Sequence, residues 1–386
     1  MTRKQVLFVD DEPKILKALR RILYPVQKEW DFYFAESAAE AMLILDRQRI
    51  NVLVTDMQMP GMNGLELLKE SRRLYPSVVR VMLTGQPSKE LFCEVLTVCH
   101  YFFWKPVNNQ ELINLLGGIA DLDNSLQDER LLALIGGMTS LPSLPLLYTR
   151  LTDLLQSDQS DIAQVAEVVN EDVSMAAQVL KLVNSAYFGL SRQFSSLQEA
   201  VAYLGLDILR QLVLVHHLFS ECSNSAICKF HLEELWNHSL CTARLAKVIA
   251  ESKGHSPQLG QTAYMAGLLH DLGKLVLIRH LPESYGAVLE KCGHGHCQIE
   301  CEEELLGTNH ASIGGYLSSL WGLPHTVTQV LTFHHYDMDD EDKANLYPVS
   351  EVVWHADRLC NGDGERSEKY RHLLESVPSP NRSQKY

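Results

Sequence analysis

Residues 52–64 read VLVTDMQMPGMNG, and this stretch decides the architecture of the N-terminal third of the chain. The run 52–54 is continuously apolar, as a strand covered on both faces of a parallel sheet should be. It leads to an acid, Asp56. Asn63 then stands three residues before Glu66, the spacing of a capping box at a helix start, and an amphipathic stretch fills 65–75. Strand, acid and helix make one βα unit. The unit recurs on both sides, with apolar runs at 6–9, 81–83 and 101–104 and a weaker one at 30–35. Amphipathic stretches lie between them at 15–23, 38–46, 89–98 and 110–116, the second opened by Ser37 and Glu40 in the same capping spacing. Five βα units in a row predict an α/β, doubly wound, five-stranded parallel sheet over residues 1–122.

Further along, the pattern changes. Gly117-Gly118 and the polar stretch 121–130 mark a transition, and 123–140 reads as a linker. From Leu141 the 3.6-residue period dominates to about Asp357, with helices expected at 144–155, 162–170, 174–185, 197–219, 232–252, 260–269 and 311–321. The region 141–362 is therefore expected to be all-α, and 363–386, rich in Gly, Ser, Pro and charge, to be a disordered tail.

A chain of 386 residues is long enough for two or three domains. Its 46% hydrophobic and 21% charged content is that of a soluble globular protein. With 34 basic against 48 acidic residues the net charge is −14, which repels phosphate backbones and anionic membranes. No basic cluster offsets that balance, so neither a nucleic acid nor a membrane is expected as a partner. The segment LGLDILRQ resembles a recognition helix only in its turn-like Gly205, since Arg210 is its single basic residue. The N-terminus lacks the apolar core of a signal peptide, and nine scattered cysteines, an odd number, read as reduced thiols. A cytoplasmic location is expected.

In an open parallel sheet the carboxyl ends of the strands converge on one crevice. Four of the five apolar runs lead to marked residues: Asp10-Asp11, Asp56, Thr84 and Lys105-Pro106. Clustered carboxylates need a cation, and hard oxygen donors suit Mg²⁺. Asp56 can then attack a phosphoryl group while the metal and Lys105 neutralise its oxygens and Thr84 donates a hydroxyl to them. The strings LFVDDE, VTDMQMPGMNG, MLTG and FWKP closely resemble the receiver domain of response regulators. That resemblance implies that Asp56 is phosphorylated by a sensor histidine kinase or phosphotransfer protein. It also implies that Asp11, Asp56 and the Gln58 carbonyl ligate Mg²⁺, with Asp10 acting mostly through water. Lys105-Pro106 would be cis, and Phe102 would be the aromatic of the switch, moving with Thr84 through packing alone because it has no hydroxyl.

Histidines and acids recur in the helical region: His238, His270-Asp271, His310, His334-His335 and Asp357. A helix bundle can point such residues inward to hold Zn, Fe or Mn. The set resembles the HD phosphohydrolase superfamily, in which His238, His270, Asp271 and Asp357 match the one-metal quartet and Lys274 the lysine of HDxGK. His310 with His334 or His335 matches the second-metal ligands of HD-GYP phosphodiesterases. The chain departs from that pattern after the paired histidines, where Tyr336 replaces a Glu and the Gly-Tyr-Pro loop is missing. The segments LPSLP at 141–145 and DVSMAAQVLKLVNSAYFGLSRQFSSLQEAVAYLGLDILRQLVL at 172–214 more closely resemble the HDOD, or HD-related output, family. A further cluster, KCGHGHCQIEC at 291–301, is a weaker zinc candidate.

Together these resemblances imply a two-component response regulator that relays its signal through a helical HDOD domain to an output protein that the sequence does not name. The alternative is a receiver-gated, metal-dependent HD-type phosphodiesterase acting on a cyclic nucleotide or cyclic di-GMP. The sequence leaves room for a homodimer.

Overall fold

The computed structural model describes residues 3–24, 30–85, 98–107, 141–143, 145–157, 161–183, 196–210, 219–221, 226–292, 297–336, 347–362 and 365–374, with scattered positions between 94 and 138 and at 194. The chain divides into two compact units, the first built mainly from Met1–Thr139 and the second mainly from residues 140–386.

The first unit carries five strands, β1 (Lys4–Val9), β2 (Trp30–Ala35), β3 (Val52–Asp56), β4 (Val79–Thr84) and β5 (Tyr101–Trp104). They form one sheet in the order β2-β1-β3-β4-β5, every pair parallel, as the sequence predicts. All five residues of β3 are buried, which accounts for its unbroken apolar character up to Thr55. Helices α1 (Pro13–Ile22), α2 (Ala38–Arg47) and α3 (Gly64–Leu74) connect the strands. Asn63 and Glu66 make the reciprocal capping box, and Ser37 accepts from the Glu40 amide. Of the expected helices 89–98 and 110–116, only scattered positions lie within the described residues.

Glycine fixes one contact next to the site. A Cβ on Gly64 would lie 2.0 Å from the Asp56 carbonyl oxygen, so only glycine lets α3 begin this close to the end of β3. Part of the expected linker also belongs to this unit. Ile135 and Met138 are buried, and the Gly136 carbonyl accepts from the buried guanidinium of Arg80. Residues 121–131 lie outside the described residues.

The second unit is helical, with one correction. Residues Leu141–Ser143 (β6) and Phe219–Glu221 (β7) pair as a short parallel ladder. Three residues that include Pro142 are too few to show alternation, so the sequence pattern could not reveal them. The helices are α4 (Pro145–Gln156), α5 (Ile162–Glu171), α6 (Val173–Val183), α7 (Leu197–Arg210), α8 (Ala226–Ser252), α9 (Pro257–Leu269), α10 (Leu272–His280), α11 (Pro282–Cys292), α12 (Gln298–Leu306), α13 (His310–Leu320), α14 (His325–Phe333), α15 (Pro348–Cys360) and α16 (Arg371–Leu374).

Two other expectations change. The helix expected over 197–219 is broken inside α7 by Gly205 at φ 74°, and 211–218 lie outside the described residues. The tail expected to be disordered from 363 is folded between Glu365 and Leu374. There a 3₁₀ turn (Glu365–Tyr370) buries Ser367 against His355 Nδ1 at 2.9 Å. Residues 375–386 lie outside the described residues.

A second glycine sets the spacing of the helices in this unit. A Cβ on Gly273, at the start of α10, would lie 1.9 Å from the His310 carbonyl oxygen and 2.9 Å from the Gly314 amide nitrogen of α13. The two backbones therefore touch, and Asp271 and His310 are brought together by that contact. Gly273→Ala is expected to push the helices apart at a cost of about 1–3 kcal/mol, lowering the thermal midpoint followed by circular dichroism. Gly286→Ala is the control, because a Cβ there meets nothing within 4 Å in the middle of α11. It should leave the midpoint unchanged or raise it. Equal midpoints for the two variants would contradict the close-contact account.

Candidate functional site

At the carboxyl end of the sheet, the Lys105 ammonium lies 2.7 Å from Asp10 Oδ2 and 2.7 Å from Asp56 Oδ1. Both carboxylates are buried. Their other oxygens are held by backbone, Asp10 Oδ1 by the Glu12 amide at 2.9 Å and Asp56 Oδ2 by the Gln58 amide at 3.1 Å. Burial alone would lower the Lys105 pKa, but Asp10 and Asp56 outweigh it and raise it, so the cation persists. The Lys105-Pro106 peptide is cis, as the resemblance implies. Asp11 is exposed beside Asp10, and Gln58 is exposed with its amide turned to Asp56. Thr84, buried at the end of β4, donates to Met57 Sδ at 3.4 Å. Phe102 is 2% exposed and belongs to the core cluster that contains Met82 and Val98. Asp10 and Asp56 set two carboxylates against one ammonium, and Asp11 adds a third, exposed acid next in the chain. That excess of oxygen donors and negative charge fits a hard divalent cation such as Mg²⁺.

In the helical unit the expected histidines and acids sit largely at helix ends. His270 caps α9 at its C-terminus and Asp271 immediately precedes α10. His310 opens α13, and His334 caps α14, followed by His335. His238 and Asp357 project from α8 and α15. A helix end leaves carbonyls without intrahelical donors, and two of these rings use them. His270 Nδ1 donates to the Gly267 carbonyl at 2.7 Å and His334 Nδ1 to the Leu331 carbonyl at 3.0 Å, each three residues back. His310 Nδ1 donates to the buried carboxylate of Glu302 at 2.7 Å. In the neutral form of each ring the proton sits on Nδ1 and the lone pair falls on Nε2.

Those Nε2 atoms converge. His238 Nε2 lies 2.9 Å from Asp357 Oδ1 and 3.2 Å from His270 Nε2. His310 Nε2 lies 2.9 Å from His335 Nε2 and 3.4 Å from His334 Nε2. Asp271 stands between the two groups. Its Oδ2 lies 3.4 Å from His270 Nε2, while its Oδ1 lies 3.3 Å from His310 Nε2 and 3.5 Å from His334 Nε2. That Oδ1 is buried without a hydrogen-bond partner. In each of the two sets, Asp271-His310-His334-His335 and His238-His270-Asp357, the donor atoms lie within 4.8 Å of one another. Lone pairs facing one another at such distances repel unless protons or cations join them. The two donor sets and the orphaned carboxylate oxygen therefore fit a divalent ion at each set, with Asp271 between them.

The electrostatics agree. Burial would depress His270, but Asp271 and Asp357 push it up to about 10. Burial would raise Asp271, yet His270 and Lys274 hold it well below the usual carboxylate range. Desolvation lowers His334 and His335, each lowered further by neighbouring histidines. A proton on His270 thus balances the buried acids. Beside the cluster a cleft of about 250 Å³ is lined by Glu234, His238, Asp271, Lys274, Gln298 and Asn361, among others. Lys274 Nζ lies 2.7 Å from Asp271 Oδ2.

Glu302 is the functional residue that the sequence reading missed. It is fully buried, and it receives the His310 amide as well as the ring, both at 2.7 Å. In the acidic run 300–304 nothing distinguishes it from a solvated face. Asn361, which donates to Asp357 Oδ1 at 2.9 Å, was likewise unmarked. In the weaker cluster, Cys292, Cys297 and Cys301 are free thiols, and His294 and His296 lie outside the described residues. Among the described residues no helix is long and apolar enough to cross a membrane.

The family model of the response regulator receiver domain matches residues 6–117, and that of the HDOD domain matches 141–336. An uncharacterised protein of Treponema pallidum is 27% identical over 198 residues, covering 50% of this chain and 37% of that protein. The hydrogenase transcriptional regulatory protein HoxA of Cupriavidus necator is 41% identical over 92 residues, 23% of this chain and 18% of HoxA. The chain thus spans well under half the length of these relatives. The crystal structure of the MmoQ response regulator from Methylococcus capsulatus covers 61% of this chain and 98% of its own, at 22% identity and a TM-score of 0.50, a likeness of fold. A five-stranded receiver sheet followed by a helical unit that the HDOD model matches over half the chain has one reading: this protein belongs to the HDOD family and is a response regulator with an N-terminal receiver domain.

Proposed function

We propose that Asp56 accepts a phosphoryl group from a sensor histidine kinase or phosphotransfer protein, and that this acylphosphate controls the HDOD unit. The observation that carries the reading is the Lys105 ammonium held 2.7 Å from both Asp10 and Asp56. An Asp56 oxygen attacks phosphorus, the bond to the donor histidine breaks, and that nitrogen leaves with the electron pair. Lys105 then has a phosphoryl oxygen to pair with in place of the Asp56 carboxylate, and Thr84 can turn its hydroxyl from Met57 to another. Mg²⁺ held by Asp10, Asp11, Asp56 and the Gln58 carbonyl would supply the remaining charge neutralisation. Phe102 follows Thr84 by packing, a two-state element that the phosphate biases.

The experiment is incubation with acetyl phosphate and Mg²⁺, followed by rapid intact-mass analysis. Wild type should gain one phosphoryl group and Asp56→Ala none. Equal labelling of the two would remove Asp56 from its role.

For the output, docking to a partner protein is one reading. A metal-dependent phosphodiesterase gated by the receiver is the other, and a specific observation favours it. Asp271 belongs to one histidine-rich set and lies 3.4 Å from His270 of the other, beside an open cleft. A docking domain has no need of such a set, whose burial is costly without cations. Divalent ions bound there would supply Lewis-acid activation of water and of a phosphoester. The chain's own residues do the rest. Glu302, Gly267 and Leu331 hold three imidazoles in the ligating tautomer, and Lys274 presents its ammonium to an anionic substrate in the cleft.

Because Asp271 and Asp357 push His270 up to about 10, it carries a proton at pH 7 and must lose it to ligate a metal. Titration with Mn²⁺ or Zn²⁺ in weak buffer should therefore acidify the solution, and affinity should rise with pH toward that value. The loaded protein should hydrolyse cyclic di-GMP or a simple phosphodiester, and His270→Ala should lower the rate by at least about 100-fold. Metal uptake without turnover would leave docking as the output. No uptake and no proton release would remove the metal reading altogether.

A further inference from the structure

We propose that Cys241 and Cys360 form a reversible disulfide that joins α8 to α15 one helical turn beyond the ligands those helices carry. Each cysteine follows a ligand by three residues, Cys241 after His238 and Cys360 after Asp357, so each pair shares a helix face. The ligands already touch, with His238 Nε2 2.9 Å from Asp357 Oδ1. The next turn of both helices then brings the thiols together, and their sulfurs lie 2.6 Å apart. Both are free thiols in direct contact, and closing to the ~2.05 Å of a disulfide needs only a small shift. Both side chains are only partly buried, so a small oxidant reaches them.

The chemistry balances with a peroxide as oxidant. One thiolate attacks a peroxide oxygen, giving a sulfenic acid and water, and the second thiol displaces the sulfenic oxygen as a second water. Two thiols lose two protons and two electrons in all. A dithiol reductant restores them by exchange. In a reducing compartment the pair rests as thiols and closes under peroxide, the pattern of a redox-responsive rather than a structural bridge. The bond closes the loop from 241 to 360, within which Asp271, His310, His334 and His335 all lie. It also fixes the spacing between His238 and Asp357. Neither the receiver chemistry nor the metal reading requires this bond.

The test uses the 386-residue chain treated with hydrogen peroxide, alkylated, and mapped by mass spectrometry without reduction. The expected product is a Cys241–Cys360 linked peptide lighter by two hydrogens, reversed by dithiothreitol and absent from Cys360→Ser. Oxidation should raise the thermal midpoint of wild type and leave that of Cys360→Ser unchanged. Recovery of Cys241 and Cys360 as separately alkylated or sulfinic products, while other cysteines such as Cys297 oxidise, would overturn the proposal. So would linkage confined to Cys292, Cys297 and Cys301. If Cys360→Ser does not fold, the map of the wild-type protein decides alone.

Discussion

A buried carboxylate is tolerable only where a cation or a set of donors faces it, and that constraint organises the chemistry of both units. In the receiver, Asp10 and Asp56 enter the sheet's end because Lys105 stands between them and the Glu12 and Gln58 amides hold their remaining oxygens. In the helical unit Asp271 and Asp357 are buried among imidazoles, with Lys274 on one side and a raised His270 supplying positive charge. The difference between the two pockets lies in their donors. Oxygen ligands beside an ammonium suit a hard ion and phosphoryl chemistry, whereas nitrogen-rich ligands around a shared carboxylate suit softer divalent ions.

Backbone contacts deliver these groups to the same place. Strand ends gather the receiver residues, since parallel strands in one register all point their carboxyl ends to one edge. In the second unit helix ends do the same work. The orphan carbonyls of Gly267 and Leu331 orient His270 and His334, so the feature that terminates each helix also turns Nε2 toward the cluster. Gly64 and Gly273 permit the close approaches on which the two sites rest.

The receiver was legible almost entirely from sequence. Its strands are buried on both faces and so read as unbroken apolar runs, and its site residues fall at the points where those runs end. The caps at Ser37 and Asn63 were readable for the same local reason. The metal-type residues of the helical unit were also legible, because seven histidines and acids stand out within apolar helices. Their supports were not. Glu302 lies in an acidic run and Asn361 in a helix-ending turn, and only the fold shows which carboxylate is buried. The β6–β7 ladder is too short for periodicity to register, and the ordered turn at Glu365–Tyr370 has a polar composition that tertiary packing around Ser367 overrides.

Asp271 lies between the two histidine sets, and in the proposed metal centre it would join them. Electron paramagnetic resonance of the Mn²⁺-loaded protein tests this directly, because two ions held on either side of Asp271 would be exchange-coupled. The account predicts two bound ions per chain with the spectrum of a coupled pair, collapsing to that of isolated ions in Asp271→Ala. An uncoupled spectrum in the wild-type protein, or one unchanged by that substitution, would contradict it.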